Sequence, residues 1–194
     1  MRLPKSDHTG RPWRIHEIAG DFKLEDVWAL PTPGGPGELP RLTATISAME
    51  FPEGAPPLVR LVWNARWKLG ALFGWDRDKH GTGGRVATLR DRMPDDLRRA
   101  PTDPRLDGDA FTSLYQLEDE WAAELANRTV HTVMHLSWVP DGSGGYRGQM
   151  AVLVKPNGWF GTAYMAAILP FRYLLVYPAL LRTIERGWKA SANA

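Results

Sequence analysis

Four strand-like segments follow one another between Ser113 and Lys155, and this succession constrains the fold more than any other feature of the chain. The segments are rich in β-branched and aromatic residues, and turn signals separate them, the clearest being the Pro-Asp-Gly-Ser-Gly-Gly run at 140–145. Neighbouring strands joined by such short connections pair in antiparallel fashion. The pattern predicts an antiparallel meander with strands at 113–117, 121–126, 129–139 and 146–155.

A long helix is predicted directly after the last strand, over residues 161–190. Pro170 and Pro178 each lack a backbone donor and should bend this helix, so that it can follow a curved sheet. Basic residues oppose an apolar stripe, as in helices packed on a core. The predicted fold class is α+β, a curved antiparallel sheet wrapped on a long C-terminal helix. The stripe consists of Ala167, Phe171, Leu174, Pro178, Leu181, Ile184 and Trp188.

A membrane span is the competing interpretation of the same segment. Residues 159–181 are mostly apolar and match the roughly 20 residues that cross a bilayer. Arg172 lies in the middle of this stretch, however, and a central arginine costs about 3 kcal/mol on insertion scales. We therefore expect a water-facing helix and no membrane insertion.

The N-terminal half is expected to complete a single domain of residues 1–194, because no repeat or low-complexity tract divides the chain. Alternation over 12–18 predicts a first strand, and 24–30 is interpreted as a helical turn. The remaining segments are a loop at 31–37, a helix at 57–73, an exposed loop at 76–84, and a solvated loop or short helix at 90–99.

Composition excludes several classes of function. A formal net charge of only +2 argues against a nucleic-acid surface, although the pI is about 9.0. The chain has no cysteine, which removes disulfides, thiolate metal sites and cysteine nucleophiles and fits a reducing cytoplasm. The first residues contain no apolar signal region. Neither Gly-x-Ser-x-Gly nor Gly-x-Gly-x-x-Gly occurs, so serine hydrolase and nucleotide chemistry have no support.

The chain contains the motifs Arg66–Gly70, Gly74–Asp76, Arg92–Arg98, Asp119–His131 with His135, and Tyr146–Val152 running into Lys155–Gly158. Together these motifs resemble a bacterial family of small proteins known only as a domain of unknown function. That family is usually grouped with the START, pollen-allergen and polyketide-cyclase helix-grip (SRPBCC) proteins. The resemblance implies a curved sheet gripping the C-terminal helix, with an apolar cavity between them. It implies no particular reaction, because the superfamily contains carriers, cyclases, hydrolases and passive binders.

One row of polar side chains is predicted across the sheet. A two-residue turn at 127–128 would set Glu124 directly opposite His131, and a similar turn at 119–120 would set Tyr115 opposite Glu124. The row would continue to Val154, with His135 opposite Met150. Because Met150, Val152 and Val154 form the apolar face of the last strand, we expect this row to face the helix. A register error of one residue would move it to the other face.

The leading hypothesis is a cofactor-free enzyme that acts on a small, hydrophobic, polyketide-like molecule. Glu124 and His131 would be its catalytic acid–base pair, because burial raises a carboxyl pKa and an adjacent imidazole lowers it. Tyr115 and His135 would orient a carbonyl oxygen, while Trp121, Met150 and Tyr164 would line the cavity. The alternatives are a structural Glu–His pair, a carrier or sensor of an apolar ligand, and a protein-interaction module that uses exposed tryptophans.

A metal site is the last possibility, since His131-x-x-x-His135 has the spacing of a helical zinc motif. On a strand these residues stand about 13 Å apart and cannot share one ion. The Thr-Val-His-Thr-Val context favours a strand, so we expect no metal and no cofactor.

Overall fold

The computed structural model describes residues 1–49, 60, 86–102, 111–127 and 130–192, with only the backbone at Trp159, Phe160 and Tyr164. Apart from Arg60, the predicted helix 57–73 and the predicted loop 76–84 lie outside the described residues. The described elements are α1 (Ser6–Thr9), α2 (Ile15–Ile18), β1 (Lys23–Ala29), α3 (Leu39–Ser47), a 3-10 turn (Leu89–Arg92), α4 (Asp95–Arg98), β2 (Thr112–Gln116), β3 (Glu120–Ala126), β4 (Val130–Pro140), β5 (Tyr146–Pro156), α5 (Gly158–Phe171), a π-helical turn (Arg172–Val176) and α6 (Tyr177–Ser191).

The fold is α+β, as predicted: one antiparallel sheet of five strands, with a long helical segment at the C-terminus. The strand order is β1-β5-β4-β3-β2. Strands β2 to β5 form the predicted meander, with bounds within one residue of those expected. The first strand joins the sheet at the edge beside the last strand, so that Trp28 pairs with Met150. The chain must therefore cross from one edge of the sheet to the other between β1 and β2.

Two predictions for the N-terminal segment are wrong. Residues 12–18 contain the helical turn α2, which buries Ile15 and Ile18 three residues apart. Residues 23–29, interpreted as helical, form β1. Asp26, Val27, Trp28 and Ala29 are all buried, because the sheet is covered on both faces. A strand buried on both faces loses the alternation that would have identified it from the sequence.

Each face of the sheet has its own cover. The face that carries Trp121, Leu136 and Met150 packs against Tyr177, Ile184 and Trp188 of the last helix, and we call it the helix face. The opposite face, here the N-terminal face, packs Tyr115, Ala122 and Val133 against the N-terminal turns and the segment 89–97. The predicted loop or short helix at 90–99 thus contributes to the core through Leu89, Met93 and Leu97.

The π-helical turn changes which residues of the last helix face the sheet. The backbone N–H of Tyr177 bonds to the carbonyl of Arg172, five residues back. Pro178 follows at once, and because proline lacks an N–H and its ring clashes with the carbonyl four residues earlier, a regular α-helical turn is disfavoured here. Phe171 and Leu174 are 51% and 74% exposed, so the predicted stripe is wrong in its first half. The inward positions are Gly161, Met165, Ile168, Arg172, Tyr177, Leu181, Ile184 and Trp188.

Within the described residues, one helix, Gly161–Ser191, is long and apolar enough to cross a membrane by length and composition. That test is also passed by core helices, and this helix makes polar contacts with the sheet: Arg172 pairs with Asp26 of β1 at 2.9 Å. The contacts of Ile184 and Trp188 with the helix face hold its second half against the sheet.

Candidate functional site

The Glu124–His131 pair lies on the N-terminal face of the sheet. His131 Nε2 is 2.8 Å from Glu124 Oε2, and the two residues are 2% and 1% exposed. The predicted contact is therefore confirmed, but the predicted register is wrong by two residues. Ala126 lies opposite His131, and Glu124 lies opposite Val133. A shift of two residues keeps side chains on the same face, so the two residues meet diagonally.

Glu124 also anchors a segment that is remote in sequence. Its carboxylate accepts hydrogen bonds from the Thr88 hydroxyl and, at 3.0 Å, from the Leu89 backbone N–H. Burial acts to raise the pKa of Glu124, but the hydrogen bonds from His131, Leu89 and Thr88 outweigh it and hold the pKa below its usual value. The carboxylate is thus ionised and engaged by three protein donors.

A second Glu–His pair lies beside the first, formed by Glu120 and His135 at 2.8 Å. Glu120 also accepts from the Tyr115 hydroxyl at 3.1 Å and from the backbone N–H of Arg14 at 2.9 Å. Burial acts to raise the pKa of Glu120, but the hydrogen bonds from His135, from the Arg14 backbone and from Tyr115 outweigh it and lower the pKa. Burial and the nearby Glu120 carboxylate raise the pKa of Tyr115. Glu120 was expected in a turn, and its role was not predicted from the sequence; its spacing of four residues from Glu124 was the available signal.

Tyr115 does not lie opposite Glu124, as the predicted row required. It pairs with Ala122, because the turn lies at 118–119 and not at 119–120: the Leu117 backbone N–H donates to the Glu120 carbonyl at 2.8 Å. Moving a two-residue turn by one position shifts every pair of the hairpin by two residues. Tyr115 consequently bonds to Glu120 rather than to Glu124.

The polar network on this face continues into α1. His8 Nε2 is 3.1 Å from His135 Nδ1. The Glu120 carboxylate can only accept, so His135 Nε2–H donates to it; Nδ1 of the neutral ring then accepts, and His8 Nε2 must donate. Burial, with His135 and His16 nearby, lowers the pKa of His8 to about 3. Five buried polar atoms on this face have no partner among the described residues: His8 Nδ1, Trp13 Nε1, His16 Nε2, Ser137 Oγ and Gln149 Nε2.

The predicted site residues are divided between the two faces, which corrects the single cavity expected from the sequence. His135 pairs with Ala151, and Met150 pairs with Leu136, one residue away from the predicted register. Glu124, His131, His135 and Tyr115 therefore face away from the C-terminal helix. Trp121 and Met150 are on the helix face, where the indole N–H of Trp121 donates to Ser113 Oγ at 3.1 Å. Tyr164 belongs to α5, and its side chain lies outside the described part.

The helix face carries a polar cluster that was not predicted from the sequence. Asp26 of β1 is 1% exposed and accepts hydrogen bonds from Tyr173, Tyr177 and Arg172. Tyr177 also accepts from Arg172, and the Trp28 ring lies 4.6 Å from that of Tyr177. We call these five residues the Asp26 cluster. The signal available in the sequence was Arg172 itself, because a cation in an apolar helix requires a buried partner.

The electrostatics of the Asp26 cluster follow from burial beside opposite and like charges. Burial and the hydrogen bond to Asp26 raise the pKa of Tyr173 to about 12. Burial likewise raises the pKa of Tyr177. Burial acts to lower the pKa of Arg172, but Tyr177 and Asp26 raise it above its usual value. At neutral pH the guanidinium of Arg172 is therefore charged, and both phenols are protonated.

One family matches the chain. The match covers residues 18–179 and is described as "Protein of unknown function (DUF2867)". The chain belongs to this family. Searches of curated proteins and of solved structures found no match. The DUF2867 match includes both Glu–His pairs and the Asp26 cluster, whereas His8 and His16 precede it.

Two further features of this DUF2867 protein bear on ligands. Among the described residues, no group of three or more His, Cys, Asp or Glu side chains is arranged to hold a metal ion. His131 and His135 each bond to a different glutamate. A groove of about 510 Å³ lies between α3 and α6, lined by Arg41, Thr45, Met49, Thr183 and Gly187 among others. The groove contains no residue of either Glu–His pair or of the Asp26 cluster.

Proposed function

We propose that this protein binds a small, mainly apolar molecule between the helix face of its sheet and the C-terminal helix, and acts on it by cofactor-free acid–base chemistry. Strand order carries the proposal. The first strand pairs with the last, the other strands form a meander, and a long final helix covers one face. Because this arrangement resembles that of the START and polyketide-cyclase-like helix-grip proteins, we group the chain with them.

The composition of the helix face supports the ligand class. Trp121, Leu136, Met150 and Trp138 form a buried apolar layer on the sheet that packs against Tyr177 and Trp188 of the helix. Small-molecule sites are commonly apolar surfaces with a few convergent polar groups. The Asp26 cluster supplies such groups at this face.

The Asp26 cluster also supports the reaction class. A carboxylate hydrogen-bonded to two phenols can move a proton between a ligand carbon and a ligand oxygen without a metal or cofactor. Aldol-type cyclisation, dehydration and isomerisation next to a carbonyl all need such a transfer. The proposal retains the cytoplasm as the compartment, which the cysteine-free composition favours.

The experiment has two readouts on freshly purified protein. Native mass spectrometry should detect a co-purifying apolar molecule that denaturation releases. Incubation with apolar ketones and β-diketones in D₂O should produce deuterium exchange next to the carbonyl, observed by proton NMR, and Asp26→Asn should abolish it. A bound molecule without exchange would support the carrier alternative. Absence of both a bound molecule and exchange would contradict the proposal.

The Glu124–His131 pair is a second candidate for the acid–base role, because its two side chains are in direct contact. If it is catalytic, Glu124→Gln and His131→Ala should each abolish the exchange, and the double variant should be little worse than either single one, since residues that act as a unit are strongly non-additive. Retention of exchange in both single variants would assign the pair to structure alone.

A further inference from the structure

We propose that Arg172 and Trp28 of the Asp26 cluster bind an anionic oxygen, so that the ligand is a mainly apolar molecule with a carboxylate. This inference rests on the proposed function, because it names the polar end of the same ligand. It follows from the hydrogen-bond balance of the cluster, the charge around it, and the shape of the helix at Arg172.

The hydrogen-bond balance shows a surplus of donors. Both oxygens of Asp26 are occupied: Oδ1 accepts from Tyr173, and Oδ2 accepts from Tyr177 and Arg172. A guanidinium has five N–H groups, yet Arg172 uses only Nη2 toward the described residues. The indole N–H of Trp28 is buried without a partner, in a residue that is 8% exposed. An incoming acceptor, and not a donor, would complete these bonds.

The charge around the cluster selects an anionic acceptor. Asp26 and Arg172 balance each other, and their side chains are 0% and 16% exposed. Arg2 adds a second cation, with its guanidinium carbon 4.7 Å from the centre of the Tyr173 ring. The region is therefore positive by about one charge at neutral pH. A carboxylate would neutralise it and receive charge-assisted hydrogen bonds, which are the strong ones.

The π-helical turn is what makes this arrangement possible. In a regular α-helix, residues five apart point about 140° away from each other. The bond from Tyr177 N–H to the Arg172 carbonyl widens the turn and lets both side chains reach Asp26. Wide turns of this kind are rare and occur frequently at functional sites. Pro178 alone explains a distortion here, but it does not explain why the distorted turn surrounds a donor-rich cluster.

The test compares ligands that differ only in their polar end: dodecanoate, dodecanol and dodecylamine, each titrated by calorimetry below its aggregation concentration. We expect the wild-type protein to bind dodecanoate at least about ten-fold more tightly than the other two, the difference that one hydrogen bond to a charged group provides. Trp28→Phe keeps an aromatic side chain but removes the unpartnered N–H together with part of the buried indole ring. It should reduce the preference for dodecanoate several-fold, and the lost burial should also lower stability.

Trp138→Phe is the matched control, since Trp138 is also on the helix face but donates its indole N–H to the Gly35 carbonyl at 2.8 Å. It should lower stability and leave the preference for dodecanoate unchanged. Equal binding of dodecanoate and dodecanol by the wild type, or an unchanged preference in Trp28→Phe, would overturn this inference and leave the proposed apolar binding intact. Failure of all three ligands to bind would overturn both.

Discussion

Two glutamates of β3 hold peripheral segments of the chain against the N-terminal face. Glu124 accepts the backbone N–H of Leu89, and Glu120 accepts that of Arg14. A buried carboxylate that loses one of its donors, or a donor that loses its carboxylate, leaves an unsatisfied group whose desolvation is not compensated. Each Glu–His pair therefore stabilises more than the contact between its own two side chains.

Glu124→Gln is expected to lower the free energy of unfolding by about 1–3 kcal/mol, because a neutral amide accepts less strongly from His131, Thr88 and Leu89. His131→Ala should cost a similar amount, and the double variant should cost less than the sum because the two share one interaction. Urea unfolding measures these changes. Glu118→Gln, an exposed change of the same chemistry in the preceding turn, is the control and should stay within about 0.5 kcal/mol.

His8 gives the protein a dependence of stability on pH. Its pKa of about 3 in the folded state is below that of an unfolded histidine, about 6.5. The unfolded chain therefore binds a proton in this interval that the folded chain does not, so stability falls as the pH falls from about 6.5 toward 3. One such group contributes about 1.4 kcal/mol per pH unit.

His8→Gln should consequently show a shallower loss of stability between pH 6 and pH 4.5, measured by urea unfolding at several pH values. The groups that face His8, namely His135 and His16, remain in this variant, and so does Glu120 behind His135. Below about pH 4 both proteins should show a further loss of stability, because the pKa values of Glu120 and Glu124 are lowered in the folded state and the unfolded chain takes up protons there first. Identical slopes above pH 4.5 would contradict the assignment to His8.

Among the elements, the final helix explains most of what the sequence could and could not predict. Its extent was predicted to within a few residues, because its apolar content and flanking turn are local features. Its inward side was not, since the π-helical turn inserts one residue into the repeat. The inward positions run Met165, Ile168 and Arg172, then step by five to Tyr177. A stripe drawn with uninterrupted spacing therefore places Phe171 and Leu174 inside, whereas both are exposed.

Leu174→Lys is accordingly expected to change the free energy of unfolding by less than about 0.5 kcal/mol, because a 74% exposed side chain loses little on becoming charged. Ile184→Ala, on the buried side of α6, should cost about 2–5 kcal/mol through lost burial and the cavity it leaves. Thermal or urea unfolding distinguishes the two. A large destabilisation by Leu174→Lys would restore the uninterrupted stripe.

For the strands, too, the sequence predicted some features correctly and others not. Alternation correctly grouped Glu124, His131 and His135 on one face, since parity survives a register error of two residues. It wrongly placed that face under the helix because β5 was paired one residue out of register. The loop at 141–145 sets this pairing, and the number of residues that it leaves unpaired does not follow from alternation along the strands. The Asp26 cluster could not be assembled from the sequence, because Asp26 and Arg172 are 146 positions apart.

At the scale of the whole molecule, the sheet has polar networks on both sides and separate apolar clusters that cover them. We expect expression without detergent to give the protein in the supernatant as a compact species, because the final helix is held to the sheet by Asp26 and by the packing of Trp188. Size-exclusion chromatography after ultracentrifugation tests this. Recovery only from the membrane fraction would assign Gly161–Ser191 to the bilayer.

The position of β1 beside β5 has a consequence for how the chain acquires its structure. On the ribosome, β1 is complete once residue 29 has emerged, but its only described partner strand, β5, does not begin until residue 146. Until then β1 exposes an unpaired backbone edge and the apolar side chains of Val27 and Trp28, the kind of surface that chaperones hold. Sheet closure is thus a late, long-range event, and such topologies fold slowly. A nascent chain stalled before residue 146 should remain open to protease at β1.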